Sequence, residues 1–87
     1  MVEKKIKVNN PTGFHARPAS ELCALAMEFD SDIEIIVGDK TLDAKSIMNI
    51  LAASIGGGSI MTLRCNGADE QTAIQAMSRF ISEFRES

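Results

Sequence analysis

Gly13-Phe14-His15-Ala16-Arg17-Pro18-Ala19 contains the only histidine of this chain. A neutral imidazole is a competent nucleophile near pH 7. A lone histidine in a loop is more often a surface or capping residue than a reactive one. Three neighbouring features set this one apart. His15 stands just before a predicted helix, whose first N–H groups lack intrahelical partners. Together with the helix dipole, these donors favour an anion. Arg17 adds a planar, permanently charged group that suits phosphate. Gly13 and Pro18 restrict the backbone so that the ring is presented and not buried. The positive helix end and Arg17 disfavour the imidazolium, which is expected to keep the ring neutral. The chemistry this pattern fits is acceptance of a phosphoryl group. The bond so formed is labile, which suits onward transfer better than permanent modification.

Positioning such a ring requires a turn, a helix and a sheet behind them. Ile6 and Val8 alternate with Lys5 and Lys7, predicting a first strand. Residues 9–13, Asn-Asn-Pro-Thr-Gly, read as a turn-rich loop. Ala19, Leu22, Cys23, Ala26 and Phe29 then recur on one helical face. Pro18 fits only the first turn of that helix, so it begins at about Ala16 or Arg17. Ile33, Ile35 and Val37 alternate, Gly38-Asp39 turns, and Lys40 to Asp43 returns as a short, charged strand of the edge type. Ser46 is a good N-cap for a short apolar helix carrying Ile47, Met48, Ile50 and Leu51. Asn49 stands where a full capping box would place Glu or Gln. Gly56, Gly57 and Gly58 are expected to end this helix. Met61, Leu63 and Cys65 mark a fourth strand. Asp69 opens a last helix, with Ala73, Ile74, Met77, Phe80, Ile81 and Phe84 at helical spacing and Arg79 and Arg85 toward its C-terminal half. The order β-α-β-β-α-β-α predicts a two-layer α+β domain with helices on one sheet face.

Composition narrows the function. Eighty-seven residues fit one domain, residues 1–87. The net charge of −3, with no Trp or Tyr, disfavours nucleic acid as a partner. No apolar run approaches the roughly 20 residues of a membrane span, and Met1 to Val8 lacks a signal-peptide core, so no membrane insertion and a cytoplasmic location are expected. Cys23 and Cys65 are far apart, with no C-x-x-C pattern, and read as buried thiols, neither a disulfide nor a metal site.

The stretch "GFHARPA" resembles the phosphorylation-site signature of the histidine-containing phosphocarrier (HPr) family of the bacterial phosphoenolpyruvate-dependent sugar phosphotransferase system. "KSIM", from Lys45 to Met48, resembles that family's regulatory serine segment, and "GADE" after the fourth strand is also similar. The resemblance covers essentially the whole chain. It implies an open-faced sandwich: a four-stranded antiparallel sheet of order 1-4-2-3 with three helices on one face. It implies that His15 accepts phosphoryl from enzyme I and passes it to sugar-specific enzyme IIA components, with Arg17 steadying the group. Such a protein is a carrier and not a free-standing enzyme. No metal or organic cofactor is implied, and a monomer is the simple expectation. Ser46 would be the target of an ATP-dependent kinase (HPr kinase/phosphorylase), and its phosphorylated form would serve a catabolite control repressor. Ile47 and Met48 would face largely outward as an apolar docking patch beside His15, with Leu51, Thr12, Ala16 and Ser20 bordering it. Core packing is the competing expectation for Ile47, Met48 and Leu51.

Several positions depart from that family. Ala24 and Met27 replace residues that are often basic or polar, Asn49 a common Gly or Lys, and Ala53-Ser54 a frequent Leu-Gly pair. The loop around Gly57 lacks its usual basic residue. Steering toward an acidic partner is therefore expected to be weak. A regulatory binding module acting mainly through Ser46 is the alternative to a carrier. A ferredoxin-like interaction or RNA-binding domain is a third reading, disfavoured by charge and scarce aromatics.

Overall fold

Strict alternation along Met61, Leu63 and Cys65 makes one strand the spine of the sheet. These three side chains are buried at 1% exposure or less, while Thr62 and Arg64 point to the other face. The structure is a computed structural model and describes residues 1–84; Arg85 lies outside the described residues. The elements are β1 (Val2–Lys7), α1 (Ala16–Ala26), β2 (Asp32–Val37), β3 (Lys40–Asp43), α2 (Ile47–Ala52), β4 (Ile60–Asn66) and α3 (Glu70–Glu83). The sheet order is β1-β4-β2-β3, antiparallel throughout, as the resemblance implied. β1 and β2 therefore run parallel on either side of β4, and α1 makes the crossover between them. β3 is an edge strand, joined to β2 by a two-residue turn that opens with Gly38 at φ 61°.

One face of the sheet is covered by the helices. Ile6, Ile33, Ile35, Leu42, Met61 and Leu63 meet Leu22 and Ala26 of α1, Ile50 of α2 and Ala73, Met77 and Ile81 of α3 in one core. On the uncovered face, Arg64 of β4 stands in register with Glu3 on one side and Glu34 on the other. Its guanidinium lies 2.5 Å from Glu3 and 3.5 Å from Glu34, a charge ladder across three strands. Burial pushes the Cys65 thiol up to about 11, helped by the nearby Glu70 and Asp69 carboxylates, so it stays protonated at neutral pH. Cys23 is only half-buried, contrary to expectation. Its Sγ donates to the Lys45 carbonyl at 3.3 Å and ties α1 to the segment before α2.

One helix end differs from the sequence reading. The glycines at 56–58 do not end α2. It stops at Ala52 with Ala53 as C-cap, and Ser54 takes the left-handed conformation at φ 51° that terminates it. Ser54 is the only described non-glycine residue with positive φ. Asp69 opens α3 as expected, at its N-cap, and its carboxylate is used away from that helix. It crosses to the end of α1's connection instead, accepting the Asp30 and Ser31 amides at 2.9 Å each and the Ser31 hydroxyl. Glu70 takes over locally by accepting the Gly67 N–H at 3.1 Å.

Two expectations follow. A left-handed L-residue costs about 1–2 kcal/mol, and glycine's extra chain entropy offsets about 0.5–1 of that. Ser54→Gly is expected to raise stability by about 0.5–1 kcal/mol and the thermal midpoint by about 4 °C, read by circular dichroism melting. The Ser31 hydroxyl, then the Asp30 amide, hold the Asp69 carboxyl below the usual aspartate value. A depressed native value means the contribution is complete above the unfolded value of about 3.9 and is lost as pH falls through the native one. Urea midpoints measured from pH 6 to pH 2 are expected to fall more steeply for wild type than for Asp69→Asn.

Candidate functional site

Asn-Pro-Thr-Gly is a strong turn sequence, and the chain uses it as one. The Gly13 amide donates to the Asn10 carbonyl at 3.0 Å, with Pro11 and Thr12 in the middle of the turn. Asn10 is 1% exposed and holds this turn from inside, its Nδ2 donating to the Gly13 carbonyl at 2.8 Å and to Thr12 Oγ1 at 3.2 Å. Gly13, at φ 68°, then redirects the chain toward α1. The Phe14 amide donates to the Ile55 carbonyl at 3.0 Å, and the Phe14 ring is buried at 3%.

The loop after α2 packs against this turn backbone to backbone. A Cβ on Gly13 would lie 2.0 Å from the Ile55 carbonyl oxygen; one on Gly57 would lie 2.2 Å from that of Pro11. Neither contact tolerates a side chain. The Val8 amide donates to Ser59 at 2.8 Å, and the Gly58 amide to Val8 at 2.9 Å. The two loops are thus sewn together on both sides of the contact.

His15 emerges from this base as the N-cap of α1, at φ −89° and ψ −164°, with an exposed side chain that does not cap the helix. Its carbonyl accepts the Ala19 amide at 2.9 Å. Pro18, in the first turn, removes one donor but leaves those of Ala16 and Arg17 at the helix mouth. Beside the ring lies a depression of about 360 Å³ walled by Thr12, Phe14, Ala16, Leu51, Ser54, Ile55 and Gly56. Thr12, Ala16 and Leu51, expected around the site, are therefore brought to it. Asn10, Ser54 and Ile55 are additions the sequence reading missed. The Asn10 signal was available, since Asn with Pro and Gly at the next and third positions marks a turn whose side chain bonds inward.

Arg17 is exposed, and its Nε lies 3.8 Å from Glu21 Oε1, one turn along α1. An anion at His15 would draw the guanidinium from this pair, and exposed pairs contribute little. Ser20 is exposed on α1 and does not line the depression.

Ser46 caps α2 in extended geometry, φ −114° and ψ 108°, its Oγ accepting the Asn49 amide at 3.4 Å. Asn49 compensates for the missing capping-box residue differently: its Oδ1 accepts the Asp43 amide at 3.3 Å. Lys45, next to Ser46, is committed elsewhere, its Nζ donating to the Phe29 carbonyl at 2.7 Å. The apolar patch is only partly outward. Met48 is 70% exposed, but Ile47 and Leu51 are half-buried against the core. A helix of six residues anchored by Ile50 must lean its flanking positions on the sheet. Ala24, Met27, Asn49 and Gly57 are all exposed. Among the described residues no cluster of three or more His, Cys, Asp or Glu could hold a metal ion, and no helix is long and apolar enough to cross a membrane.

Residues 2–83 match the family model described as the PTS HPr component phosphorylation site. The HPr-like protein Crh of Halalkalibacterium halodurans is 43% identical over 83 residues, 95% of this chain and 99% of that protein. The structure of phosphocarrier protein HPr from Bacillus anthracis superposes with a TM-score of 0.88 at 38% identity, over 92% of this chain and 95% of that one. That of Bacillus subtilis Crh, described as a dimer with a swapped domain, gives 0.78 at 33% identity over all of both chains. With a model matched along nearly its whole length and the four-stranded open-faced sandwich in common, the chain belongs to the HPr family of phosphocarrier proteins.

Proposed function

We propose that this chain carries phosphoryl groups in the phosphoenolpyruvate-dependent sugar phosphotransferase system, accepting them on His15 from enzyme I and passing them to enzyme IIA components. The observation that carries the reading is the exposed imidazole fixed at the mouth of α1, over a depression to which Thr12, Ala16 and Leu51 contribute. In the transfer, an imidazole nitrogen of His15 attacks phosphorus. Its N–P bond forms as the N–P bond of the donor's phosphohistidine breaks. The acceptor ring gives up one N–H proton overall and the departing donor ring takes one up, so charge balances. The Ala16 and Arg17 amides and the Arg17 guanidinium are the groups that would hold the phosphoryl oxygens.

A second reading has a specific observation in its favour. The 43% identity to an HPr-like protein Crh supports a regulatory role, exercised through phosphorylation of Ser46 by an ATP-dependent kinase and recognition by a catabolite control repressor. A regulator acting only through Ser46 needs no exposed imidazole, so we place the carrier role first and regulation alongside it.

Incubation with enzyme I and labelled phosphoenolpyruvate is expected to give one acid-labile phosphate that His15→Ala abolishes. No label on wild type would overturn the carrier reading. Ser46→Asp puts a negative charge on the face that enzyme I must cover. About 1 kcal/mol of like-charge repulsion predicts a roughly fivefold loss in kcat/KM for acceptance, carried by KM. Equal rates for the two proteins would remove Ser46 from control of docking.

A further inference from the structure

The last turn of α3 reaches back to the loop that bears His15. The Phe84 ring stacks on Phe14, with centroids 6.4 Å apart and planes at 25°, and meets Phe80 at 5.3 Å and 31°. Phe14 immediately precedes His15 and is 3% exposed. At the other end of the same loop, Asn9 Nδ2 donates to the Ser82 carbonyl at 2.7 Å. Residues 9 and 14, which bracket the turn, are therefore both fastened to positions two apart at the end of α3. Phe84 lies just past the helix, in extended conformation at φ −66° and ψ 126°. It also walls a groove between α1 and α3 with Leu25 and Phe80, and it takes no part in the depression beside His15.

Gly13, at φ 68°, redirects the chain toward α1, and the Phe14 side chain is the bulky anchor between Gly13 and the imidazole. Besides its place in the core, two named contacts hold that anchor: the hydrogen bond from its amide to the Ile55 carbonyl and the ring contact to Phe84. Resting on the carrier reading, we infer that Phe84 is a positioning residue for phosphoryl transfer, holding Phe14 so that the His15 ring keeps the orientation in which its nitrogen meets phosphorus in line. In-line attack is steeply sensitive to placement, and a misplacement of about 1 Å can cost on the order of a hundredfold in rate. The clamp is one of several contacts holding Phe14, which also packs in the core, so its loss costs less than that.

The test is transfer from phosphorylated enzyme I to wild type, Phe84→Ala, Phe84→Leu and Phe84→Tyr, with the His15 ring signals followed by NMR on the proteins alone. Phe84→Ala is expected to lower kcat about tenfold with KM within twofold, and to broaden or shift the His15 ring signals. Phe84→Tyr, which keeps the ring, restores both. Phe84→Leu falls between and carries the comparison should Phe84→Ala not fold. A kcat within twofold of wild type with unmoved ring signals in both Phe84→Ala and Phe84→Leu overturns the inference, as does a rise in KM with kcat intact, which would make Phe84 a docking residue. Wild type that takes no label from enzyme I overturns the carrier reading instead. The ring signals need no donor, so the two failures are told apart.

Discussion

Two stretches of main chain lie closer together in this fold than any side chain would permit, and the site depends on that contact. Gly13 sits against Ile55 and Gly56, and Gly57 against Pro11 and Asn10. Glycine at these positions lets the histidine turn and the loop after α2 share hydrogen bonds directly, Phe14 to Ile55 and Val8 to Ser59. Backbone placed against backbone has few soft degrees of freedom left. Under the carrier reading His15 draws on that rigidity, because its own side chain is exposed and lies outside the core. The stiffness beneath the ring substitutes for the packing it lacks.

From that contact the constraint spreads to each layer. β4 follows the glycine loop and is the strand that both β1 and β2 pair with, so the loop's position is tied to the centre of the sheet. α1 starts from the other side of the contact and buries Leu22 and Ala26 in the core, which fixes the axis along which its N-terminal amides point. α3 closes the ring of attachments through Ser82 and Phe84. Asp69, binding Asp30 and Ser31, anchors the far end of α1's connection to the start of α3. The helix carrying the histidine at its mouth is thus held at both ends, by backbone contact at one and by a carboxylate at the other.

Most of the element order was legible because it rests on periodicity, which is local. β3 fell at Lys40–Asp43 and α1 began at Ala16, where Gly38 and Pro18 give unambiguous boundaries. Contacts between residues distant in sequence were not legible: the Asp69 carboxylate crossing to Ser31 and Ile47 leaning on the core are two of them. Three glycines at 56–58 looked like a helix stop because glycine is the usual one. They are there for a different reason: at Gly57 a neighbouring backbone leaves no room for a Cβ, and at Gly58 φ is 84°. The placement of His15 at the mouth of α1 was legible from its neighbours along the chain. What holds it was not, since Ile55, Ser82 and Phe84 lie 40 or more residues away.

The same geometry bears on how the proposed regulatory serine and the histidine would communicate. Ser46 caps the start of α2, and the residues just past its end, Ser54 to Gly56, wall the histidine's depression. Six helical residues separate the two, about 9 Å of axis, close to the Debye length of about 8 Å at physiological salt. A phosphate on Ser46 would therefore reach the residues at the far end of α2 through a field that salt weakens. Displacing the ring mechanically would require moving α2, which Ile50 anchors in the core at 0% exposure. A partner protein laid across α1 and α2 excludes the solvent that does the screening and covers both residues together. Under the carrier reading, the charge on Ser46 is thus felt by the encounter, and the nucleophile itself is left as it was.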